Sequence, residues 1–230
     1  MKLRLIALAV ALCIATLGFA ACGNEQEDDP RPGAAIGYEN GEPTTSPEDN
    51  PLNIPENFPT ITITMEDGGV IEAVLFPDRA PNTVANFLYL VQQEFYDGLT
   101  FHRAVPGFMI QGGCPDGNGR GGADHNIPGE FRANGFPQNT IGHTPGVLSM
   151  ARRADSYDSQ SSQFFIMHGA SPGLDGDYAA FGMVFQGMEV VDRLVNLPTT
   201  GETLVDQPVI ASITADLRGM EHPVPTTLPR

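Results

Sequence analysis

The chain has 230 residues, which is enough for one medium-sized domain with extensions or for two small domains. Its 28 acidic residues outnumber its 12 lysines and arginines, so the formal net charge is -16 at pH 7. So acidic a chain is a poor candidate for binding nucleic acid, whose phosphates require a basic surface. Lys2 is the only lysine, which excludes a lysine-containing phosphate-binding loop in the later glycine-rich stretches.

The first 21 residues have the pattern of a secretory signal peptide. Lys2 and Arg4 precede an apolar run from Leu5 to Ala20, which is short for a membrane-spanning helix. Small residues then precede Cys22, in an order that resembles the lipobox of bacterial lipoproteins. This resemblance implies cleavage before Cys22, its lipidation, and anchoring to the cell membrane outside the cytoplasm. Simple secretion and an uncleaved membrane anchor are the alternatives.

Residues 22–59 are predicted to form a disordered acidic tether. Glycine, proline and polar residues dominate this stretch, and nine acidic residues face one arginine between positions 23 and 59. Because so few apolar side chains cannot form a core, the segment is expected to stay solvated. After processing, Cys114 is the only free cysteine, so no internal disulfide can form.

The segment 60–219 is expected to form the folded domain, followed by a flexible tail at 220–230. Thr60–Met65 alternates strictly between polar and apolar residues and is followed by a turn signal and a second strand at 70–76. Further strands are predicted at 147–151, 163–167, 181–185 and 209–217. Apolar residues at helical spacing predict two helices, which begin near Pro81 and after Gly187. Many short strands with two helices indicate an antiparallel barrel or sandwich with helical caps.

The run from Phe101 to Gly113 carries the most functional information. It contains one arginine, Arg103, among apolar and aromatic residues, and it ends in Gln111-Gly112-Gly113. If the Pro106-Gly107 turn folds the run back on itself, Arg103, Phe108 and Gln111 come together. The product would be an apolar pocket with a cationic hydrogen-bond donor at its rim and no nucleophile. Such a pocket suits the stabilisation of a strained polar transition state.

Several segments resemble those of the cyclophilins, a family of peptidyl-prolyl cis-trans isomerases. They occur in the family's order and cover about 155 residues. They are Phe101–Gly113, Leu148–Ala151, Ser162–Ile166, Leu174–Gly176 and Phe181–Val184. The resemblance implies a mainly β fold, namely a closed eight-stranded antiparallel barrel capped by two α-helices.

The same resemblance implies roles for individual residues. Arg103 matches the catalytic arginine, and Gln111 matches the glutamine that orients it. The walls of the proline pocket correspond to Phe108, Met109, Phe165 and Leu174. The extended peptide groove corresponds to Gly119, Ala151, Arg152, Arg153 and Gln163, and Tyr178 stands where bacterial members often have tyrosine. Gly173 replaces a tryptophan that contacts cyclosporin, so cyclosporin binding is expected to be weakened.

The remaining polar residues favour no other chemistry. Four histidines, His102, His125, His143 and His168, have no usual metal-ligand spacing, so no metal or other cofactor is expected. Ser149 and Ser162 do not have the spacing of a Ser-His-Asp triad, so a hydrolase is not expected.

The sequence therefore predicts a monomeric, lipid-anchored isomerase of X-Pro bonds that assists the folding of exported proteins. Its partners would be proline-containing peptides and unfolded exported chains. Two alternatives remain. One is a proline-peptide-binding chaperone module without turnover, and the other is a scaffold whose acidic tether is the functional part.

Overall fold

The computed structural model describes residues 38–39, 42–43 and 55–230. The signal peptide, Cys22 and most of the predicted tether lie outside these residues. Two short strands, β1 (Tyr38–Glu39) and β2 (Glu42–Pro43), pair antiparallel within the tether segment. The predicted disorder of 22–59 concerns residues that lie mostly outside the described ranges, and it stays a prediction. Asn40-Gly41 separates the strands, and Asn-Gly is a strong hairpin signal that the composition concealed.

The domain contains two α-helices and twelve further strands. The helices are α1 (Pro81–Gln92) and α2 (Met188–Val195). The strands are β3 (Thr60–Met65), β4 (Val70–Leu75), β5 (Phe101–Val105), β6 (Met109–Gly112), β7 (His125–Asn126), β8 (Val147–Met150), β9 (Phe164–Met167), β10 (Ala180–Gln186), β11 (Thr199–Thr200), β12 (Thr203–Leu204), β13 (Ile210–Asp216) and β14 (Leu228–Pro229). In the described ranges no helix has the length and apolar character needed to cross a membrane.

Eight strands form the predicted antiparallel barrel. Their order is β5-β6-β9-β8-β10-β4-β3-β13, and each neighbouring pair is antiparallel. The two ends of this row meet where Thr100 bridges Val209. The amide of Ile210 donates to the carbonyl of Leu99 over 2.8 Å, and that of Phe101 donates to Pro208 over 3.0 Å. These bonds close the barrel, so the row has no free edge between its first and last strands.

Side-chain alternation along β9 explains why its sequence is apolar throughout. Phe164 and Ile166 face the main core, whereas Phe165 and Met167 face a second apolar cluster on the other side of the sheet. Phe164 meets Phe87 of α1 edge-on, with ring centroids 5.3 Å apart. Because both faces of the strand are covered, neither face needs polar residues. The second cluster forms the apolar floor of the pocket that is described in the next section.

The segment 220–230 was predicted to be a flexible tail, and this prediction is wrong for its end. Leu228–Pro229 forms β14, which pairs antiparallel with β7 at His125–Asn126. Upstream, the backbone amide of Thr226 donates to Oδ1 of Asn82 over 2.7 Å. Nδ2 of Asn82 donates in return to the carbonyl oxygen of Thr226 over 3.0 Å. The strand pairing and the two bonds from the Asn82 side chain hold a proline-rich segment that has too few apolar residues to be recognised as structured.

Candidate functional site

The hairpin of β5 and β6 brings Arg103 and Gln111 together. The turn between the strands contains Gly107, whose φ of 76° favours glycine. Arg103 stands opposite Gln111 in the strand register, and its Nη1 donates to Oε1 of Gln111 over 3.0 Å. The predicted folding back of this run is therefore confirmed.

A second contact to Arg103 comes from a distant turn. Nε of Arg103 donates to Oε2 of Glu202 over 2.7 Å, and the neighbouring Thr203 on β12 pairs with Arg103 on β5. The Glu202 side chain is 59% exposed, so solvent screens the ion pair and its main effect is on orientation. Glu202 is not among the residues predicted from the sequence, because nothing near either residue predicts that the 199–204 hairpin packs beside β5.

Gln111 is itself held by a chain of hydrogen bonds that ends in the glycine-rich loop. Its Nε2 donates to Oε1 of Gln163 over 2.8 Å. Nε2 of Gln163 then donates to the carbonyls of Gly119 and Gly121, over 2.9 and 2.8 Å. With its donor and acceptor both occupied, the Gln111 amide has one favourable orientation, which fixes the direction of the Arg103 guanidinium.

A pocket with a volume of about 420 Å³ opens beside Arg103. The sequence-predicted residues that line it are Arg103, Phe108, Met109, Gln111, Gly119, Ala151, Arg152, Phe165, Leu174 and Tyr178. The lining residues that the sequence analysis did not assign to the site are His102, Gly117, Asn118 and Thr203. Met109 and Phe165 are almost fully buried, so they form a firm apolar floor.

Arg152 and Tyr178 form one side of the pocket. The guanidinium of Arg152 lies 4.5 Å from the ring centroid of Tyr178, which is a cation–π distance. Nε of Arg152 also donates to the carbonyl of Asp177 over 2.9 Å. The Tyr178 ring in turn meets Phe165 edge-on at 6.0 Å. This stacking stabilises the pocket wall without a covalent link.

A second pocket of about 330 Å³ adjoins the first, and both are lined by Gln111, Gly119, Ala151 and Arg152. The other residues around it are Arg120, Gly121, Gly122, Asn126, Arg153, Ser159, Ser161, Gln163 and Arg230. All the predicted pocket and groove residues thus border one continuous groove. Their individual roles stay predictions. Gly173 lies outside both pockets and is exposed.

A chain of polar side chains, in which His143 and Ser149 are buried and Asp175 is exposed, lies beneath the pocket floor. Nδ1 of His143 is 2.9 Å from Oδ1 of Asp175, and Nε2 of His143 is 3.0 Å from Oγ of Ser149. Burial lowers the pKa of His143, and the hydrogen bond to Asp175 partly offsets this effect. The neutral ring therefore donates from Nδ1 and accepts from the Ser149 hydroxyl.

This polar chain has the connectivity of a Ser-His-Asp triad, which the spacing of the serines did not suggest. Tertiary folding brings the three residues together, so the expectation from spacing was wrong about their proximity. Ser149 and His143 are 0% and 1% exposed, however, and neither lines a pocket. A nucleophile must reach its substrate, so the chain serves to support the pocket. The His143 ring stacks on Phe165 at a centroid distance of 6.1 Å.

His102 is the most strongly perturbed titratable side chain at the pocket. Burial, reinforced by the positive charge of Arg103, lowers the pKa of His102 to about 4. Neither of its ring nitrogens has a protein hydrogen-bond partner. The ring is therefore neutral near pH 7 and adds no positive charge next to Arg103.

The arrangement supplies an oriented cationic donor at Arg103, a pocket with an apolar floor and an adjoining polar groove. In the described ranges, no group of three or more His, Cys, Asp or Glu side chains could hold a metal ion. The site can thus bind an apolar group and stabilise a developing lone pair beside it through hydrogen bonds from Arg103. Proline carries such a group next to an amide nitrogen.

Comparisons with known proteins agree with this chemistry. The family model described as "Cyclophilin type peptidyl-prolyl cis-trans isomerase/CLD" matches residues 60–215. Peptidyl-prolyl cis-trans isomerase B of Bacillus subtilis is 45% identical over 142 residues, which cover 62% of this chain and 94% of that relative. A peptidyl-prolyl cis-trans isomerase of Synechococcus elongatus is 45% identical over 139 residues, which cover 60% of this chain and 90% of the relative.

Solved structures show the same fold. A cyclophilin-type isomerase of Cryptosporidium parvum superposes with a TM-score of 0.62 at 30% identity, covering 69% of this chain and 98% of that one. Another structure of that protein was determined in the presence of the dipeptide Ala-Pro, and it superposes with a TM-score of 0.60 at 31% identity over 67% of this chain and 96% of that one. Barrel and pocket together define a cyclophilin-type isomerase domain. The chain belongs to the cyclophilin family and is a peptidyl-prolyl cis-trans isomerase.

Proposed function

We propose that this isomerase acts on exported proteins outside the cytoplasm, held at the membrane by a lipid on Cys22, and that Arg103 supplies the catalytic hydrogen bond. The observation that carries the catalytic part is the fixed guanidinium of Arg103. It is oriented by Gln111 at 3.0 Å and by Glu202 at 2.7 Å, at the edge of a pocket with an apolar floor.

The chemistry of amide rotation explains why an arginine suffices. Twisting an X-Pro bond removes amide resonance, so the lone pair of the prolyl nitrogen becomes a better hydrogen-bond acceptor. A donor aimed at that nitrogen binds the twisted form more tightly than either planar form, and this difference lowers the barrier. Arginine stays charged and has a planar donor group that Gln111 can orient. No bond breaks, so neither a nucleophile nor a general base is required.

Magnitudes indicate that Arg103 does not act alone. Uncatalysed exchange takes about 10–100 s, and a millisecond time constant requires an acceleration of about four to five decades, or about 5.5–7 kcal/mol. One oriented donor typically contributes about 3–4 kcal/mol. We assign the remainder to Phe108, Met109, Phe165 and Leu174, which would clamp the prolyl ring away from water. The second pocket would hold one flank of the peptide while the other flank rotates.

An isomerisation assay on a proline peptide tests the role of Arg103. In the purified protein, Arg103→Ala is expected to lower kcat/KM by about 10²–10³-fold, which is typical for the loss of one oriented donor. Arg218→Ala is the matched control, because Arg218 is a partly exposed arginine outside both pockets. Equal rates for wild type and Arg103→Ala would disprove the catalytic role. Peptide binding without turnover by the wild type would favour a chaperone module.

The signal-like segment supports the proposed location. Lys2, Arg4, the apolar run and the small residues before Cys22 have the order expected of a lipoprotein signal. Mass spectrometry of the mature N-terminus is expected to find a diacylglyceryl-modified Cys22 at the first position. Cys22→Ser should release the protein from the membrane fraction. Retention of Met1, or an unmodified Cys22 in membrane-bound protein, would refute the lipid anchor.

The client class follows from this location, since the proteins that fold there are exported ones. An exported protein whose refolding is limited by X-Pro isomerisation should refold faster with the wild type than with Arg103→Ala. In cells, a chain with Arg103→Ala should fail to replace the wild type in the folding of exported proteins. Deletion of residues 23–59 tests the scaffold alternative. Loss of function on that deletion, together with full function of Arg103→Ala, would assign the role to the tether.

A further inference from the structure

The C-terminal segment 220–230 contributes to the substrate groove although it lies beyond the family match at 60–215. Strand β14 pairs with β7, and Nδ2 of Asn126 donates to the carbonyl of Pro229 over 3.3 Å. This pairing places Arg230 in the lining of the second pocket. A residue outside the shared domain is thus part of the groove surface.

Arg230 is held by backbone carbonyls of the glycine-rich loop. Its Nη1 lies 3.1 Å from the carbonyl oxygen of Gly122 and 3.2 Å from that of Ala123, and its Nη2 lies 3.2 Å from that of Arg120. These acceptors carry no net charge, so they orient the guanidinium without neutralising it. The same loop receives the hydrogen bonds of Gln163 at Gly119 and Gly121. Arg230 is therefore connected to the site through a loop that both pockets share.

The second pocket is cationic although the chain carries a net charge of -16. Four arginines line it, namely Arg120, Arg152, Arg153 and Arg230, and no aspartate or glutamate does. Arg153 is paired with Asp155 at 3.1 Å. In the part of the chain that the structure describes, no side-chain carboxylate pairs with the other three within 4.0 Å. The side chains that line the second pocket thus carry a net positive charge beside the proline site.

We infer that the C-terminal segment completes an anion-selective subsite in the groove, in which Arg120, Arg152 and Arg230 receive an acidic side chain that flanks the substrate proline. This inference rests on the isomerase activity of the same groove. Arginine binds carboxylates through paired N–H donors and keeps its charge at any physiological pH. At physiological salt the screening length is about 8 Å, so a bound side chain interacts mainly with the charges that line the pocket and only weakly with charges elsewhere on the domain.

A series of matched peptides tests the subsite. The peptides form six pairs, one for each of the three positions before and the three positions after a single proline. The two members of a pair carry glutamate or glutamine at that position, and kcat/KM is measured for each member. The wild type is expected to prefer glutamate about threefold at one or two positions, which is the size of a solvent-accessible ion pair. Arg120→Gln combined with Arg230→Gln should move this ratio most of the way toward one, and so should 0.5 M salt.

Controls separate the subsite from general effects. Arg218→Gln removes an arginine outside both pockets and should leave the ratio unchanged. Arg230→Lys keeps the charge and should retain part of the preference, whereas removal of 220–230 should act like Arg230→Gln. Fluorescence anisotropy measures binding of the same peptides without any need for turnover. An inactive enzyme would still bind the glutamate peptides more tightly, whereas an unselective subsite would bind glutamate and glutamine peptides equally. A wild-type ratio near one at all six positions, or a ratio that the double variant preserves, would overturn the inference.

Discussion

Arg103 and Gln111 lie opposite each other on β5 and β6, and Nη1 of the arginine donates to Oε1 of the glutamine over 3.0 Å. Gln111 is fixed in turn by Gln163, whose amide binds the glycine-rich loop. The arginine is therefore oriented before substrate binds. A donor that needs no reorganisation during the reaction is the kind that contributes most to catalysis.

The first prediction concerns Gln111 as a positioning residue. Gln111→Ala should lower kcat roughly tenfold with little change in KM, because a hydrogen bond to a charged group contributes about 1.5–3 kcal/mol. Gln111→Glu keeps an acceptor for Arg103 and should recover part of the activity. Stopped-flow isomerisation assays give kcat and KM separately. A rise in KM at constant kcat would show that Gln111 binds substrate and does not orient the arginine.

The second prediction is a pH dependence of stability caused by His102. Its pKa is about 4 in the folded protein, against 6.5 for an ordinary histidine. Between these values the unfolded chain binds a proton that the folded chain does not, so stability falls as the pH falls from 6.5 to 4. The total loss is about 3 kcal/mol, with a slope of about 1.4 kcal/mol per pH unit.

Urea denaturation of wild type and His102→Leu between pH 5 and 6.5 measures this contribution. The variant lacks the titrating ring but retains the other groups, including His143, whose lowered pKa acts in the same direction. The wild-type unfolding free energy should fall more steeply on acidification, by about 1 kcal/mol per pH unit. Parallel curves for the two proteins would show that His102 does not titrate in this way.

The third prediction is that Ser149 is structural despite its bond to His143. Ser149→Ala should destabilise the fold by about 1–3 kcal/mol, because the buried Nε2 of His143 loses its hydrogen-bond donor. A serine-directed fluorophosphonate should not label the folded wild type, since Ser149 is 0% exposed. Peptide mass spectrometry after exposure to the reagent checks this. A phosphonylated Ser149 in folded protein would show that Ser149 is accessible and can act as a nucleophile.

The fourth prediction concerns cyclosporin. A Cβ placed on Gly173 has no atom within 4 Å, so a larger side chain fits there without repacking. Gly173→Trp should raise cyclosporin affinity about tenfold or more, which is typical of a tryptophan anchor at an interface. Its isomerase activity should stay within about twofold of the wild type. Titration calorimetry gives the affinity, with Gly173→Ala as the control, and an unchanged affinity would contradict the assignment of this position.

The hairpin carrying Arg103 and Gln111 was predictable because the two residues lie close in the chain. Only a short turn separates their strands, and alternation then decides which side chains share a face. The helices were predictable for a similar reason, since Val84, Phe87, Leu88 and Val91 repeat at helical spacing. By contrast, the apolar run of β9 revealed a buried strand but not which residues face the pocket.

The sequence by itself thus determined the family, the barrel class and the local geometry around Arg103. These follow from short-range alternation, turns and motif order. Only the tertiary structure decided that Glu202, 99 residues away, holds the same arginine, and that Arg230 reaches a loop more than 100 residues earlier. Closure of the barrel and pairing of β14 with β7 make these contacts. Such contacts depend on where distant segments meet in space, and no local pattern records that.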